Sequence, residues 1–130
     1  MPSERGQSIS VFVSVVIFAL LLVAGLVIDG GRQSSAARRA ELLASAAARA
    51  AVDATAPARA AGRAPEAGVA IRAARDHLDA APDIDGDVRL TGDGTIRVTT
   101  TTRIATHFLS LIGISTLEAE GSAEAQLFSR

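Results

Sequence analysis

Residues 9–28 form an unbroken apolar run with no charged residue and no proline. Arg5-Gly6 stands before it and Asp29-Gly30-Gly31-Arg32 after it. As a helix, twenty residues rise roughly 30 Å, the thickness of a bilayer's hydrocarbon core. No face of the segment is polar, which disfavours a helix half-buried in a soluble core. A cleaved secretory signal is the alternative, but its apolar core is only about 7–15 residues long and ends at a small-x-small site. Here Val23-Ala24-Gly25 still lies inside the run and Ser35-Ala36-Ala37 lies well beyond it. The expected organisation is a leader-like tail (1–8), a transmembrane helix (9–28) and one small domain (29–130).

The rest of the chain is polar enough to fold in water, and it supplies one domain with a modest core. A net charge of −1 offers no electrostatic footprint for nucleic acid. Cysteine is absent, which removes disulfides and thiolate metal sites. Tyr and Trp are absent too, so no aromatic belt fixes the helix at the interface. Arg5 alone precedes the run while Arg32, Arg38, Arg39 and Arg49 follow it. Counting basic residues near the helix ends places the C-terminal side in the cytoplasm.

Beyond the membrane run the chain divides at its prolines. The alanine-rich stretch 32–56 should continue the membrane helix, with Gly30-Gly31 as a hinge and Pro57 as the stop. A second, amphipathic helix is expected over 66–80, where Ala67, Ala70, Ile71, Ala74 and Leu78 recur at helical spacing. The last third changes to a period of two. Val88 and Leu90, then Ile96 and Val98, flank Gly92-Asp93-Gly94 as a hairpin that sets Leu90 opposite Ile96 and Val88 opposite Val98. A short helix over 105–112 should stop at Gly113. In the final strand Leu117, Ala119, Gly121, Ala123, Ala125 and Leu127 share one face, leaving room for a closely approaching helix. The opposite face would set Arg89, Arg97 and Arg103 near Glu118, Glu120 and Glu124. The fold class is therefore α+β: a long N-terminal transmembrane helix, a second helix, and a small three-stranded, mainly antiparallel sheet with a short helix before its last strand.

Several segments together carry a family resemblance. They are Arg5-Gly6-Gln7-Ser8-Ile9-Ser10-Val11-Phe12-Val13, Val27-Ile28-Asp29-Gly30-Gly31-Arg32, Ala36-Ala37-Arg38-Arg39-Ala40, Ala47-Ala48-Arg49-Ala50, and Phe108-Leu109-Ser110-Leu111-Ile112-Gly113-Ile114. In that order the chain resembles the TadE/TadG-like pilus-assembly proteins of bacterial Tad (Flp) pilus systems, particularly the short actinobacterial type. The resemblance implies a minor-pilin or pseudopilin-like role, with the N-terminus cytoplasmic and the domain outside the cell membrane, opposite to the arginine count. It also implies a leader removed after a glycine by a prepilin peptidase; Gly6 matches that glycine, with Arg5 before it and Gln7 after it. Pilin-like members carry a glutamate five residues after the glycine, and Val11 stands there instead.

Gly6, Ser10 and Ser14 are spaced four apart, a small-residue stripe through which membrane helices pack. The apolar cluster that includes Phe108, Leu111 and Ile112 is either core or a contact surface for partner subunits. An enzyme is not expected. His77 and His107 are the sole imidazoles; His77 lies on a helix, and His107 sits in the apolar segment without a nearby acid-rich motif. Asp83-Ile84-Asp85-Gly86-Asp87 begins like a calcium loop, but Val88 and Gly94 occupy the positions that need glycine and glutamate. No cofactor, metal or small-molecule substrate is expected; the expected partners are the membrane and other pilin-like subunits. A membrane-tethered binding module unrelated to pili, and a secreted domain with a cleaved signal, are the competing readings.

Overall fold

The computed structural model describes residues 4–127, with side chains from residue 6; residues 1–3 of the expected tail, and the Arg5 side chain of the expected processing site, lie outside the described residues. One helix dominates. α1 runs from Glu4–Ala60, 57 residues, about 85 Å at the α-helical rise. Residues 4–8 of the expected tail therefore belong to the helix, and it passes through Gly30 and Gly31 without a break, so no hinge is seen there. A Cβ at either glycine would meet nothing within 4 Å.

Pro57 does not end α1; it lies inside its last turn. A proline removes one amide donor, and at a helix end the remaining bonds can still close the turn. The true stop is Gly62, which holds φ +66°. Its N–H donates to Arg59 O (3.0 Å), and Arg63 N–H reaches back to Ala58 O (2.8 Å). Those two bonds satisfy the helix's last carbonyls in the paired pattern that a left-handed residue after the helix makes possible.

α2 (Ala67–Asp79) follows, within a residue of the predicted bounds, and buries Ala70, Ala74 and Leu78 on the expected face. β1 (Asp85–Leu90) and β2 (Thr95–Ala105) pair antiparallel with Leu90 opposite Ile96 and Val88 opposite Val98, as predicted. Gly94 takes φ +81° in the connection, the left-handed conformation that this hairpin turn demands. β3 (Thr116–Gln126) pairs antiparallel with β2, giving the order β1-β2-β3.

β2 is longer than its two recognisable apolar residues suggest, because Thr99–Thr102 and Ile104 are β-branched and pair along β3 as far as Ala105 with Thr116. That pairing takes residue 105 out of the short helix expected over 105–112. What remains is a single 3-10 turn, Leu109–Ile112, which does stop before Gly113.

The core lies between the sheet and the C-terminal half of α1, with α2 beside them. Ala44, Ala47, Ala48 and Ala51 of α1 meet Val88, Ile96, Val98 and Leu127, together with α2's Ala70, Ala74 and Leu78, and Ala40 is buried as well. Small residues on both sides allow close approach. A Cβ built on Gly121 would collide with the peptide joining Ala40 to Glu41, so β3 lies directly on the backbone of α1. Opposite Gly121, the buried Thr100 hydroxyl donates to Ala40 O (2.8 Å), so a polar group inside the core is satisfied by the helix it touches.

On the outer face Arg97 pairs with Glu124 (2.5 Å) and Arg103 with Glu118 (3.0 Å), as expected. Arg89 does not join them. It sits opposite Arg97 in the register and pairs instead with Asp87 on its own strand.

Candidate functional site

The apolar run and the domain meet at a clasp formed by α1 and the connection between β2 and β3. The two ends of that connection are tied by Thr106 N–H to Ser115 O (3.0 Å) and by the Thr106 hydroxyl to Ile114 O. Between them the chain makes the 3-10 turn and folds back on α1 beside Leu22, Val23 and Leu26, with Phe108, Leu109 and Ile112 completing an apolar notch. A Cβ on Gly25 would strike the Cβ of Phe108 and come within 2.7 Å of its Cγ. Gly25 is thus the saddle in which Phe108 rests.

One helical turn further along, Asp29 is 2% exposed and accepts three backbone amides from this connection. His107 N–H donates to Oδ1 (3.0 Å); Phe108 N–H (2.9 Å) and Leu109 N–H (2.8 Å) donate to Oδ2. A 3-10 turn begins with unpaired N–H groups, and a carboxylate supplied from another element satisfies them as an N-cap would. The His107 amide, then that of Leu109, holds the Asp29 carboxyl below its ordinary value, against an opposing contribution from burial. Above Asp29 two more residues extend the seam: Arg32 donates to Ala105 O (3.2 Å) and Gln33 to Glu118 O (2.9 Å). Further up, Arg39 makes a two-pronged contact with Asp83 (2.6 and 3.2 Å), tying α1 to the turn before β1.

The residues singled out from the sequence separate into three groups. Phe108 is half-buried against Gly25, so it belongs to the clasp, whereas Leu111 (77% exposed) and Ile112 (57%) point outward. Ser10 and Ser14 lie on the uncovered part of α1, where the Ser14 hydroxyl bonds to Ser10 O (2.8 Å) within the helix. Arg5, Gly6 and Gln7 occupy its first turns, and a Cβ on Gly6 would meet nothing within 4 Å. His77 is exposed on α2, and His107 contributes its backbone amide to Asp29. Among the described residues no group of three or more His, Cys, Asp or Glu gathers as a metal site.

Asp29 and Gly25 were not picked out as functional by sequence reasoning. Asp29 was visible there as the first charge after the apolar run, yet its partners lie 78 to 80 residues away and donate through backbone. Side-chain patterns carry no sign of such a bond. Comparison with protein-family models, with characterised proteins and with solved structures finds no match to this chain.

Proposed function

We propose that the chain is a non-enzymatic, single-pass envelope protein of the pilin-like kind, a minor subunit or assembly component of a Tad (Flp) pilus or related secretion machine. The observation that carries this reading is α1 itself. One rigid helix presents a naked apolar length, residues 6–21 being exposed throughout, and then becomes the spine of a small antiparallel sheet domain. The helix is long and apolar enough to cross a membrane. Nothing else among the described residues covers its 6–21 stretch, which suits a helix that meets lipid and the helices of neighbouring subunits. Ser10 and Ser14 lie where such a neighbour would pack.

Retention is favoured over removal as a secretory signal, because the domain uses the end of the apolar run for its own packing. Cleavage after Gly25 or beyond would strip the saddle from Phe108, and beyond Asp29 it would take the acceptor of three amides. Cleavage after Gly6 would leave the clasp intact. In this proposal the helix is held beside other pilin-like helices and the sheet domain is presented outside the cell membrane.

Intact-mass determination of the mature protein from membranes, followed by in-membrane crosslinking, tests the proposal. A start at Gln7 supports processing by a prepilin peptidase, and an intact N-terminus supports a retained anchor. A start past residue 28 excludes both. Crosslinking should trap other pilin-like subunits; recovery of the monomer alone would refute the assembly role.

A further inference from the structure

Of the five exposed large apolar side chains outside 9–28 among the described residues, Leu42 and Leu90 stand apart and three gather at the clasp. Leu111 (77%), Ile112 (57%) and Ile114 (43%) project from the 3-10 turn and the residues after it. We propose that this connection is a second membrane-contacting element, a wedge whose tip is immersed in lipid hydrocarbon alongside α1. The inference rests on the reading of 9–28 as a membrane span, and three independent observations carry it.

The first is depth. Phe108 rests on Gly25, and Phe108, Leu109 and Ile112 share a notch with Leu22, Val23 and Leu26. Those α1 residues lie inside the apolar run, and Leu22 is about 10 Å along the helix axis from Asp29. If 9–28 lies in hydrocarbon, the connection packed against 22–26 is at that depth as well.

The second is charge. From 104 to 117 the chain holds no Asp, Glu, Arg or Lys, between Arg103 on one side and Glu118 on the other. The third is backbone satisfaction. A segment in hydrocarbon must find partners for its amides within the protein. Here His107, Phe108 and Leu109 donate to Asp29. Thr106, Leu111, Gly113 and Ile114 donate to carbonyls of the same connection. The Ser110 and Thr106 hydroxyls likewise donate within the connection, to His107 O and Ile114 O. These amides thus find partners inside the protein while Leu111, Ile112 and Ile114 stand exposed; the His107, Ser110 and Ser115 side chains are exposed as well. The occupant of the notch and the neighbour of Leu111 is the acyl region of the leaflet that α1 crosses as it enters the domain.

The absence of native cysteine makes the test direct. Single variants Leu111→Cys, Phe18→Cys and Arg89→Cys, each in the full chain, are labelled with an environment-sensitive fluorophore. They are then reconstituted in phosphatidylcholine–phosphatidylglycerol vesicles containing doxyl-labelled lipids. All three side chains are exposed, so the labels do not disturb the core. Residue 18 reports the span and residue 89 the water-facing sheet. The expected result is strong quenching at 111 by shallow-position doxyl chains, quenching at 18 by deep-position chains, and none at 89. A label at 111 that behaves like 89 while 18 remains quenched overturns the wedge and leaves the span standing. A label at 18 that behaves like 89 overturns both. A label at 111 that is shielded from water yet untouched by every doxyl position identifies a protein as the occupant and also overturns the wedge.

Discussion

Gly25, Gly121 and Asp29 decide how tightly the pieces of this protein meet, and each acts by what it lacks or accepts. Gly121 lacks a Cβ where the peptide between Ala40 and Glu41 lies against the strand. Backbone cannot swing aside as a flexible side chain does, so Gly121→Ala should destabilise by about 3 kcal/mol, the upper part of the overpacking range. Gly68→Ala is the matched control, since its Cβ would make ordinary contact with Arg72 at 3.7 Å. That change should stabilise α2 by about 0.5–1 kcal/mol. Thermal or denaturant unfolding in detergent reads both.

Asp29 acts as an acceptor. Asp29→Asn leaves one oxygen for three amides and points an N–H₂ at the others, so hydrogen exchange at 107–109 should quicken by about tenfold or more. Protonation acts in the same direction. A carboxyl held below its ordinary value of 3.8 adds stability that is complete above that value and is lost as pH falls through the lowered one. Protection at 107–109 should thus be flat at neutral pH and fall only in acid below about pH 4. Asp93 is lowered too, chiefly by the Thr91 hydroxyl at 2.6 Å and then by the Thr95 amide. Exchange at 107–109, rather than global acid unfolding, therefore separates the clasp from the hairpin.

At the scale of elements, α1 runs on to Ala60 in spite of Gly30, Gly31 and Pro57. Alanine supplies propensity, and the glycines at 30 and 31 are tolerated inside because the helix packs on both sides of them. An uninterrupted helix makes a definite prediction. Gly30→Ala and Gly31→Ala should each stabilise by about 1 kcal/mol, the helix-interior cost of glycine, and leave the clasp in place. A hinge working at this point would show the opposite, with altered fluorescence of a label at 111. The sheet is held less by its outer ion pairs than by its alanine-lined inner face. Arg97 and Glu124 are both about half exposed, so Arg97→Ser should shift stability by less than about 1 kcal/mol.

For the whole molecule, the apolar run and the domain are not independent parts joined by a linker. Gly25 and Asp29 serve the domain, and the connection between β2 and β3 returns to serve the run. A chain beginning at Gly30 should keep the β1-β2-β3 register and the core around Ala44, Ala47 and Ala51, while losing protection across 106–115. Backbone exchange compared with the full chain measures this. Loss of the entire sheet on truncation would mean that the clasp carries far more of the fold than its contacts indicate.

Local chemistry made much of this architecture legible in advance. Amphipathic spacing announced α2 and its buried Ala70, Ala74 and Leu78; alternation and Gly92-Asp93-Gly94 fixed the hairpin register; and the small inner face of β3 implied a helix lying close upon it. The apolar length of 9–28 likewise needs only hydropathy and helical rise to be recognised. Other features depend on partners remote in the chain, which periodicity cannot encode. Pro57 yields to Gly62 as the helix stop for a local reason that periodicity also misses, two backbone bonds between residues three and five apart that close the turn beyond it. The predicted helix over 105–112 shrinks because β3 claims residue 105 and Asp29 caps what remains. The sequence alone determined a helix long and apolar enough to cross a membrane and a small α+β domain. Only the tertiary structure decided that Asp29 and Gly25 join the two, because that junction is made from backbone amides and a missing side chain.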